Sequence, residues 1–181
     1  MASQTIPYIT PEEYLKAERQ AEFKSEYYEG QVYAIAGGTL RHHRIATNVT
    51  VRLAVALDGG PCQVLNSDVR VHIPATGLYT YPDVSVVCGA PDVLQTDNLV
   101  NPVVIVEVGT TKFLDYQSIP SLKEYLMVSQ QSHSITHCTR LGDEEWRIET
   151  FGEERGSIRL SAIGVELQFA QIYAGADSLP G

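Results

Sequence analysis

Two carboxylates lie in or beside apolar, β-branched segments, where a charged side chain is unusual. Asp83 directly precedes the segment 84–88, and Glu107 interrupts the apolar run 103–108. A carboxylate in such a strand loses hydration on folding, at a cost on the order of several kcal/mol, unless a cation or hydrogen-bond donors compensate. Two such groups on neighbouring strands would also repel each other. A divalent metal removes both costs, and Mg²⁺ prefers hard oxygen ligands of this kind.

A lysine follows the second carboxylate at a short distance. Lys112 lies five residues after Glu107, where its ammonium could stabilise charge developing on a phosphate or orient the attacking water. Asp, Glu and Lys in this order are the minimum set for metal-assisted hydrolysis of a phosphodiester. We therefore expect Asp83 and Glu107 to bind Mg²⁺, or Mn²⁺ in its place, and Lys112 to act in catalysis.

Each of these three residues also has a structural interpretation. Asp83 could accept the hydrogen bonds of a turn after the preceding proline, and Lys112 could be a solvated lysine on a helix face. Glu107 could form a buried ion pair with Arg70 or Lys112, since glutamate is rarely buried without a partner. The pairing of Asp83 with Glu107 favours the metal site over these alternatives.

Two further residues are candidates for the same catalytic site. Glu26 could supply another ligand or orient a metal-bound water, and its alternative is an ordinary surface glutamate of a hairpin. His43 could position or transfer a proton, although most helical histidines are structural. His133 and His137 have the i, i+4 spacing that suits zinc only on a helix. Their segment is predicted to be a strand, so we expect no zinc site.

The elements of the first third of the chain are predicted from caps, turns and apolar spacing. A threonine followed by proline and then glutamate predicts a capped helix from residue 10 to about residue 21. Glu29-Gly30 between two Tyr- and Val-containing runs predicts a hairpin within 23–35. Apolar residues that recur every four positions predict a longer helix over 40–57.

The rest of the chain is predicted to be mostly strand. Alternating apolar and polar residues over 65–73 predict one strand whose solvated face carries Asp68 and Arg70. The order of elements predicts an α/β (α+β) domain covering residues 1–181, with helices packed against one mixed central β-sheet. The other predicted elements are strands at 84–88, 103–108, 135–140 and 146–151 and a short helix at 112–116.

Composition and charge limit the class of protein. The 181 residues are 44% hydrophobic and 19% charged, as in a folded domain. Three widely spaced cysteines predict no disulfide and a reducing compartment, and the absence of a leader-like or membrane-spanning segment predicts a cytoplasmic protein. The net charge of −9 argues against avid, nonspecific binding of DNA. It does not exclude a nuclease, because an acidic metal site itself contributes negative charge.

Several short segments together resemble the Uma-type restriction endonuclease family, within the PD-(D/E)XK nuclease superfamily. The resemblance implies a restriction-endonuclease-like core in which Asp83 and Glu107 bind Mg²⁺ with Lys112 nearby, DNA as the substrate, and a homodimer. The segments that carry it are Tyr81-Pro82-Asp83-Val84, 101–108, 112–116 and 119–126, together with Glu26-Tyr27, Gly30, His43 and 164–167.

One departure from the family pattern lies between Glu107 and Lys112. Relatives carry a longer polar segment before this lysine, whereas only residues 109–111 separate Val108 from Lys112 here. Either this chain has lost part of its active-site loop, or a segment is missing from the sequence, and the second is our hypothesis. The main functional hypothesis is a Mg²⁺-dependent endonuclease. The alternative is a catalytically inactive domain that acts as a dimeric binding or regulatory module.

Overall fold

The computed structural model describes residues 7–109 and 112–181. Within these residues the helices are α1 (Pro11–Glu18), α2 (Leu40–Leu57), α3 (Phe113–Tyr116) and α4 (Phe169–Ile172), with a 3₁₀ turn at Glu153–Arg155. The strands are β1 (Ser25–Tyr28), β2 (Gln31–Ala34), β3 (Cys62–Asn66), β4 (Arg70–Ile73), β5 (Leu78–Thr80), β6 (Val84–Cys88), β7 (Val93–Leu94), β8 (Asn98–Leu99), β9 (Val104–Val108), β10 (Glu124–Val128), β11 (Ser134–Arg140), β12 (Trp146–Gly152), β13 (Ser157–Leu160) and β14 (Val165–Gln168).

Most of these strands form two six-stranded sheets. Sheet 1 has the order β2-β1-β5-β4-β8-β7, and sheet 2 has the order β12-β11-β10-β9-β6-β3. The pair β9 and β10 is parallel while the other pairs of sheet 2 are antiparallel, so sheet 2 is the mixed sheet expected from the sequence. The predicted α+β class is confirmed. The prediction of one sheet omitted sheet 1 and the ribbon of β13 and β14.

Sheet 2 lies at the centre of the described structure, since apolar clusters cover both of its faces. β9 is buried along its whole length. Val104, Val106 and Val108 pack into the cluster that contains the apolar stripe of α2, whereas Ile105 packs into the cluster shared with sheet 1. Because side chains alternate along a strand, Glu107 lies on the same face as Ile105, between the two sheets.

The start of the first helix and the turn of the first hairpin are determined by local residues. The Thr10 side chain accepts a hydrogen bond from the Glu13 backbone N–H, and the Glu13 carboxylate accepts one from the Thr10 backbone N–H. This reciprocal capping fixes the start of α1, although the helix ends at Glu18, earlier than predicted. The hairpin of β1 and β2 turns at Glu29 and Gly30, whose φ angles of 46° and 79° suit a type I′ turn.

The long helix α2 has the bounds that its apolar spacing predicts. Ile45, Val49 and Leu53 are completely buried along one stripe, and Thr39 caps the first turn by accepting a hydrogen bond from the His42 backbone N–H. Among the helices of the described residues, none combines the length and the apolar character needed to cross a membrane.

The single strand predicted over 65–73 is wrong. β3 ends at Asn66 in sheet 2, and β4 begins at Arg70 in sheet 1. Between them the Asn66 side chain accepts a hydrogen bond from the Asp68 backbone N–H, a local turn that an alternating pattern does not reveal. Asp68 is exposed as expected. Arg70 is buried, and its guanidinium donates to Asn98, Tyr81 and Asp97, which offsets the cost of burying its charge.

The prediction that the cysteines form no disulfide is also wrong. Cys62 and Cys88 are directly opposite on β3 and β6, and their sulfur atoms form a disulfide. Cys138 is a buried free thiol. Two residues 26 positions apart become neighbours only through strand pairing, so their spacing in the sequence gives no sign of the bond.

Candidate active site

Asp83 and Glu107 lie side by side at one end of the paired strands β6 and β9. Val84 is opposite Val106 in this antiparallel pair, so the next pair outward is Asp83 and Glu107, with Cβ atoms about 5 Å apart at such positions. The Val108 backbone N–H donates to Asp83 Oδ2 at 2.8 Å. The two carboxylates proposed as metal ligands from the sequence are therefore cross-strand neighbours.

The second oxygen of Asp83 is held by a histidine of α2. His42 Nε2 lies 2.9 Å from Asp83 Oδ1, and both side chains are largely removed from solvent. The hydrogen bond to Asp83 raises the pKa of His42, against the opposing effect of burial, and the charges of Asp83 and Glu107 raise it further. The Asp83 carboxylate therefore stabilises the protonated form of His42 relative to that of a free imidazole.

Glu107 is buried, with 4% of its surface exposed. The hydroxyl of Tyr116, a completely buried residue of α3, donates to Glu107 Oε1 at 2.7 Å. Burial raises the pKa of Glu107 to about 7, and the charge of Asp83 adds to this effect. The charge of Lys112 and hydrogen bonds from Tyr116 and the Asp83 backbone oppose the rise in pKa. A full negative charge at Glu107 is therefore costly unless a cation joins the site.

Lys112, directly before α3, binds the carboxylate of Glu26 on β1. Its Nζ lies 2.6 Å from Glu26 Oε1 and 3.3 Å from Thr80 Oγ1. The Thr80 hydroxyl also donates to Glu26 Oε1 at 2.5 Å. Glu26 and Thr80 meet because Tyr27 pairs with Tyr79 between β1 and β5. Sheet 1 thus holds the lysine that the sequence assigned to catalysis.

The structure brings together four of the five residues assigned to the site from the sequence. Asp83 and Glu107 are adjacent, Lys112 affects the pKa of Glu107, and Glu26 binds Lys112. His43 is exposed, and its ring centroid lies 5.3 Å from that of His42. The imidazole that contacts Asp83 is thus that of His42, one residue earlier than the histidine selected from the sequence.

Three residues of the site were not recognised from the sequence. His42 could have been found, because it lies three residues before Ile45 and continues the buried stripe of α2, whereas His43 falls on another face. Tyr116 was noted only as part of the family resemblance. Thr80 gives no signal in the sequence, since its contact with Glu26 depends on the pairing of β1 with β5.

The structural interpretation of Glu107 as half of a buried ion pair does not match the observed contacts. Among the described residues, the ion pairs of Lys112 and Arg70 are with Glu26 and Asp97. Within residues 7–109 and 112–181, no basic side chain lies within ion-pair distance of Glu107. Its Oε1 instead accepts a hydrogen bond from the neutral hydroxyl of Tyr116.

The donor set of the site fits a hard divalent cation. Within residues 7–109 and 112–181, no cluster of three or more His, Cys, Asp or Glu side chains could hold a metal. Mg²⁺, however, commonly takes only one or two protein carboxylates and completes its coordination with water and substrate phosphate. Asp83 and Glu107 supply such a pair. Burial raises the pKa of Glu107, and a cation bound beside it would favour the ionised carboxylate.

The hypothesis of a missing segment concerns the connection between Gly109 and Lys112. Thr110 and Thr111 lie outside the described residues. On either side of them, Gly109 donates its backbone N–H to Val128 and adopts a φ of 80°, and Lys112 binds Glu26. Both ends of this connection are therefore fixed to sheet strands.

The fold is similar to that of a solved structure. A crystal structure of a "putative nuclease belonging to DUF820" from Anabaena variabilis superposes with a TM-score of 0.72 over 93% of this chain and 99% of that chain. Sequence identity between the two is 14%, so the similarity establishes the fold alone.

Sequence relatives are closer. Two proteins of Synechocystis sp. (strain PCC 6803), the uncharacterized proteins slr1290 and sll1609, are 35% and 33% identical to this chain. The alignments cover 96% and 89% of this chain and 95% and 97% of the relatives. A model of the Uma2 family, described as "Putative restriction endonuclease", matches residues 11–171. The chain therefore belongs to the Uma2 family.

Proposed function

We propose that this chain is a metal-dependent endonuclease that hydrolyses phosphodiester bonds of DNA, with Asp83 and Glu107 holding Mg²⁺ or Mn²⁺. The observation that carries the proposal is the adjacency of Asp83 to a buried Glu107 whose charge has no basic partner among the described residues. Family membership supports the same function. The cation, when bound, would activate water and neutralise charge on the phosphate.

The remaining residues of the site would support this pair. His42 and the Val108 backbone N–H fix the two oxygens of Asp83, and Tyr116 fixes one oxygen of Glu107. Lys112 carries a positive charge close enough to lower the pKa of Glu107. Held by Glu26, its ammonium is suited to stabilise negative charge that develops on a phosphate.

Nicking of supercoiled plasmid DNA tests the proposal. We expect the wild type to nick the plasmid with Mg²⁺ or Mn²⁺ but not with EDTA, and we expect Asp83→Ala and Glu107→Gln to be inactive. Asp58→Ala is the matched control, because Asp58 is an exposed aspartate at the far end of α2. Wild-type protein that never nicks the plasmid in a metal-dependent way would defeat the proposal, as would Asp83→Ala protein that retains full activity.

A catalytically inactive binding or regulatory module is the second candidate function. The specific observation in its favour is the 2.6 Å ion pair between Lys112 and Glu26. The carboxylate of Glu26 offsets the positive charge that Lys112 would otherwise present to a phosphate. Calorimetric titration with Mg²⁺ separates the two functions, because the endonuclease needs a metal that Asp83→Ala protein cannot bind. The homodimer and the cytoplasmic location expected from the sequence stay predictions.

A further inference from the structure

The hairpin of β1 and β2 carries two tyrosines on the face that also carries Glu26. Tyr33 is directly opposite Glu26 across the hairpin, and directly opposite residues of an antiparallel pair share a face. Tyr28 lies on that face too, two residues after Glu26. Tyr28 and Tyr33 are near enough to interact electrostatically.

The side chains of this hairpin differ in burial, and Tyr28 is partly buried against the cluster shared with sheet 1. Tyr27, on the opposite face, is 2% exposed and packs with Tyr14 and Tyr79. Tyr33 is 52% exposed and belongs to none of the apolar clusters. β2 is the outermost strand of sheet 1, so no strand covers Tyr33 from that side. Folding of the described residues therefore leaves the ring of Tyr33 available to a ligand.

Tyr33 lies beside the residues that surround the candidate active site. Its cross-strand partner Glu26 accepts a hydrogen bond from Lys112 Nζ at 2.6 Å, and Lys112 is close enough to Glu107 to lower its pKa. One cross-strand spacing thus separates Tyr33 from Glu26, whose carboxylate binds Lys112. A group bound against Tyr33 would lie on the hairpin face that carries the ion pair of Glu26 with Lys112.

The charges around the two tyrosines select what can bind there. The charges of Glu29 and Asp115 are near enough to raise the pKa of Tyr28, and Glu26 on the same face is paired with Lys112, so carboxylates outnumber ammonium groups around the two tyrosines. An acidic surface repels the phosphates of a nucleic acid but not its neutral, aromatic bases. Stacking on an aromatic ring is the main way in which proteins hold unpaired bases without reading their sequence.

We propose that Tyr33 stacks against an unpaired nucleobase next to the bond that is cut. This inference rests on the proposed endonuclease function and names its substrate class, which is a nucleic acid with unpaired bases, such as a single strand, a loop or a flap. The faces of paired bases in a uniform duplex are covered by their neighbours, so a duplex cannot use this surface without local opening. The net charge of −9 further disfavours a duplex, whose charge density is higher than that of a single strand.

Oligonucleotide binding in EDTA tests this inference without cleavage. The probes are a fluorescein-labelled single strand of mixed sequence and its duplex, with affinities measured by anisotropy. We expect the single strand to bind about tenfold more tightly than the duplex, and Tyr33→Leu to weaken single-strand binding by about fivefold or more, because leucine lacks a π-face. Tyr33→Phe, which retains the ring, should bind within about twofold of the wild type. Ile148→Ala, which alters an apolar residue 58% exposed on β12, should leave binding unchanged.

Several results would overturn the inference. These are equal or tighter binding of the duplex, no binding of either probe, and wild-type affinity in Tyr33→Leu protein. A contact between two copies along β2 is the competing use of this surface. It would appear as a change in sedimentation of Tyr33→Leu protein with unchanged affinity for the single strand, and it would also overturn the inference.

The same variants separate this inference from the endonuclease proposal. If the wild type nicks plasmid and Tyr33→Leu nicks it and binds the single strand equally well, the stacking surface is refuted and the nuclease stands. If the single strand binds in a Tyr33-dependent way but no metal-dependent cleavage occurs, the binding of unpaired bases is supported and the endonuclease proposal is refuted.

Discussion

Glu107 combines burial with an acidic neighbour, and both oppose its ionisation. Its pKa is raised from 4.5 to about 7, so the folded protein binds a proton over a range of pH in which the unfolded chain has lost it. The free energy of unfolding must then fall as the pH rises through this range. The full effect is on the order of 3 kcal/mol. The stability of the metal-free protein thus favours protonated Glu107, whereas the proposed metal site needs its ionised carboxylate.

We predict that Glu107→Gln flattens this pH dependence. The variant should be more stable than the wild type at pH about 8, by on the order of 1–3 kcal/mol, because the buried charge is removed. Urea unfolding in EDTA at pH about 6 and about 8 measures the difference. Glu149→Gln on the exposed side of β12 is the matched control and should keep the wild-type pH dependence. Equal slopes for Glu107→Gln and wild type would refute the raised pKa.

We predict that Tyr116→Phe destabilises the protein by about 1–3 kcal/mol, because Glu107 Oε1 loses its buried donor. The loss should be larger at pH about 8 than at pH about 6, since the hydroxyl favours the ionised form of Glu107. Calorimetric titration should also show weaker Mg²⁺ binding by the variant. Tyr79→Phe is the matched control, because Tyr79 is equally buried and none of the described residues hydrogen-bonds its hydroxyl. A pH-independent loss no larger than that of the control would contradict the prediction.

At the scale of elements, the first turn of α2 positions His42 against Asp83. The Thr39 side chain caps this turn at the backbone N–H of His42 itself, and Thr10 caps α1 by the same chemistry. We predict that Thr39→Ala and Thr10→Ala each lower stability by about 1 kcal/mol, as measured by urea unfolding. Only Thr39→Ala should also weaken Mg²⁺ binding in a calorimetric titration. Equal loss of metal affinity in both variants would show that the cap of α2 has no special part in the site.

The long elements followed from local residue patterns, whereas the boundary between β3 and β4 did not. The apolar stripe of α2 and the turn residues of the first hairpin were sufficient because each depends on neighbours in the sequence. The 65–73 segment failed because alternation continued across a turn between two sheets. The same kind of local reasoning chose His43, although the stripe that contains Ile45 places His42 on the buried face.

At the scale of the whole molecule, the disulfide between Cys62 and Cys88 joins β3 at the edge of sheet 2 to its interior. Closing a loop of 26 residues restricts the unfolded chain, and we predict that reduction lowers the free energy of unfolding by about 3 kcal/mol. Urea unfolding with and without reductant measures this change. A Cys62→Ser, Cys88→Ser double variant should be insensitive to reductant. Three reactive thiols per chain, counted in wild-type protein that is unfolded without reductant, would refute the bond.

The sequence by itself determined the family, the fold class, the long helix, the first hairpin and the choice of Asp83, Glu107 and Lys112 as candidate site residues. A charged residue in an apolar strand is visible in the sequence because its burial needs compensation. Only the tertiary structure decided that His42 contacts Asp83, that Tyr116 binds Glu107 and that Glu26 with Thr80 holds Lys112. These contacts join residues from different elements. Their distances depend on how strands pair and helices pack, which no local pattern of residues specifies.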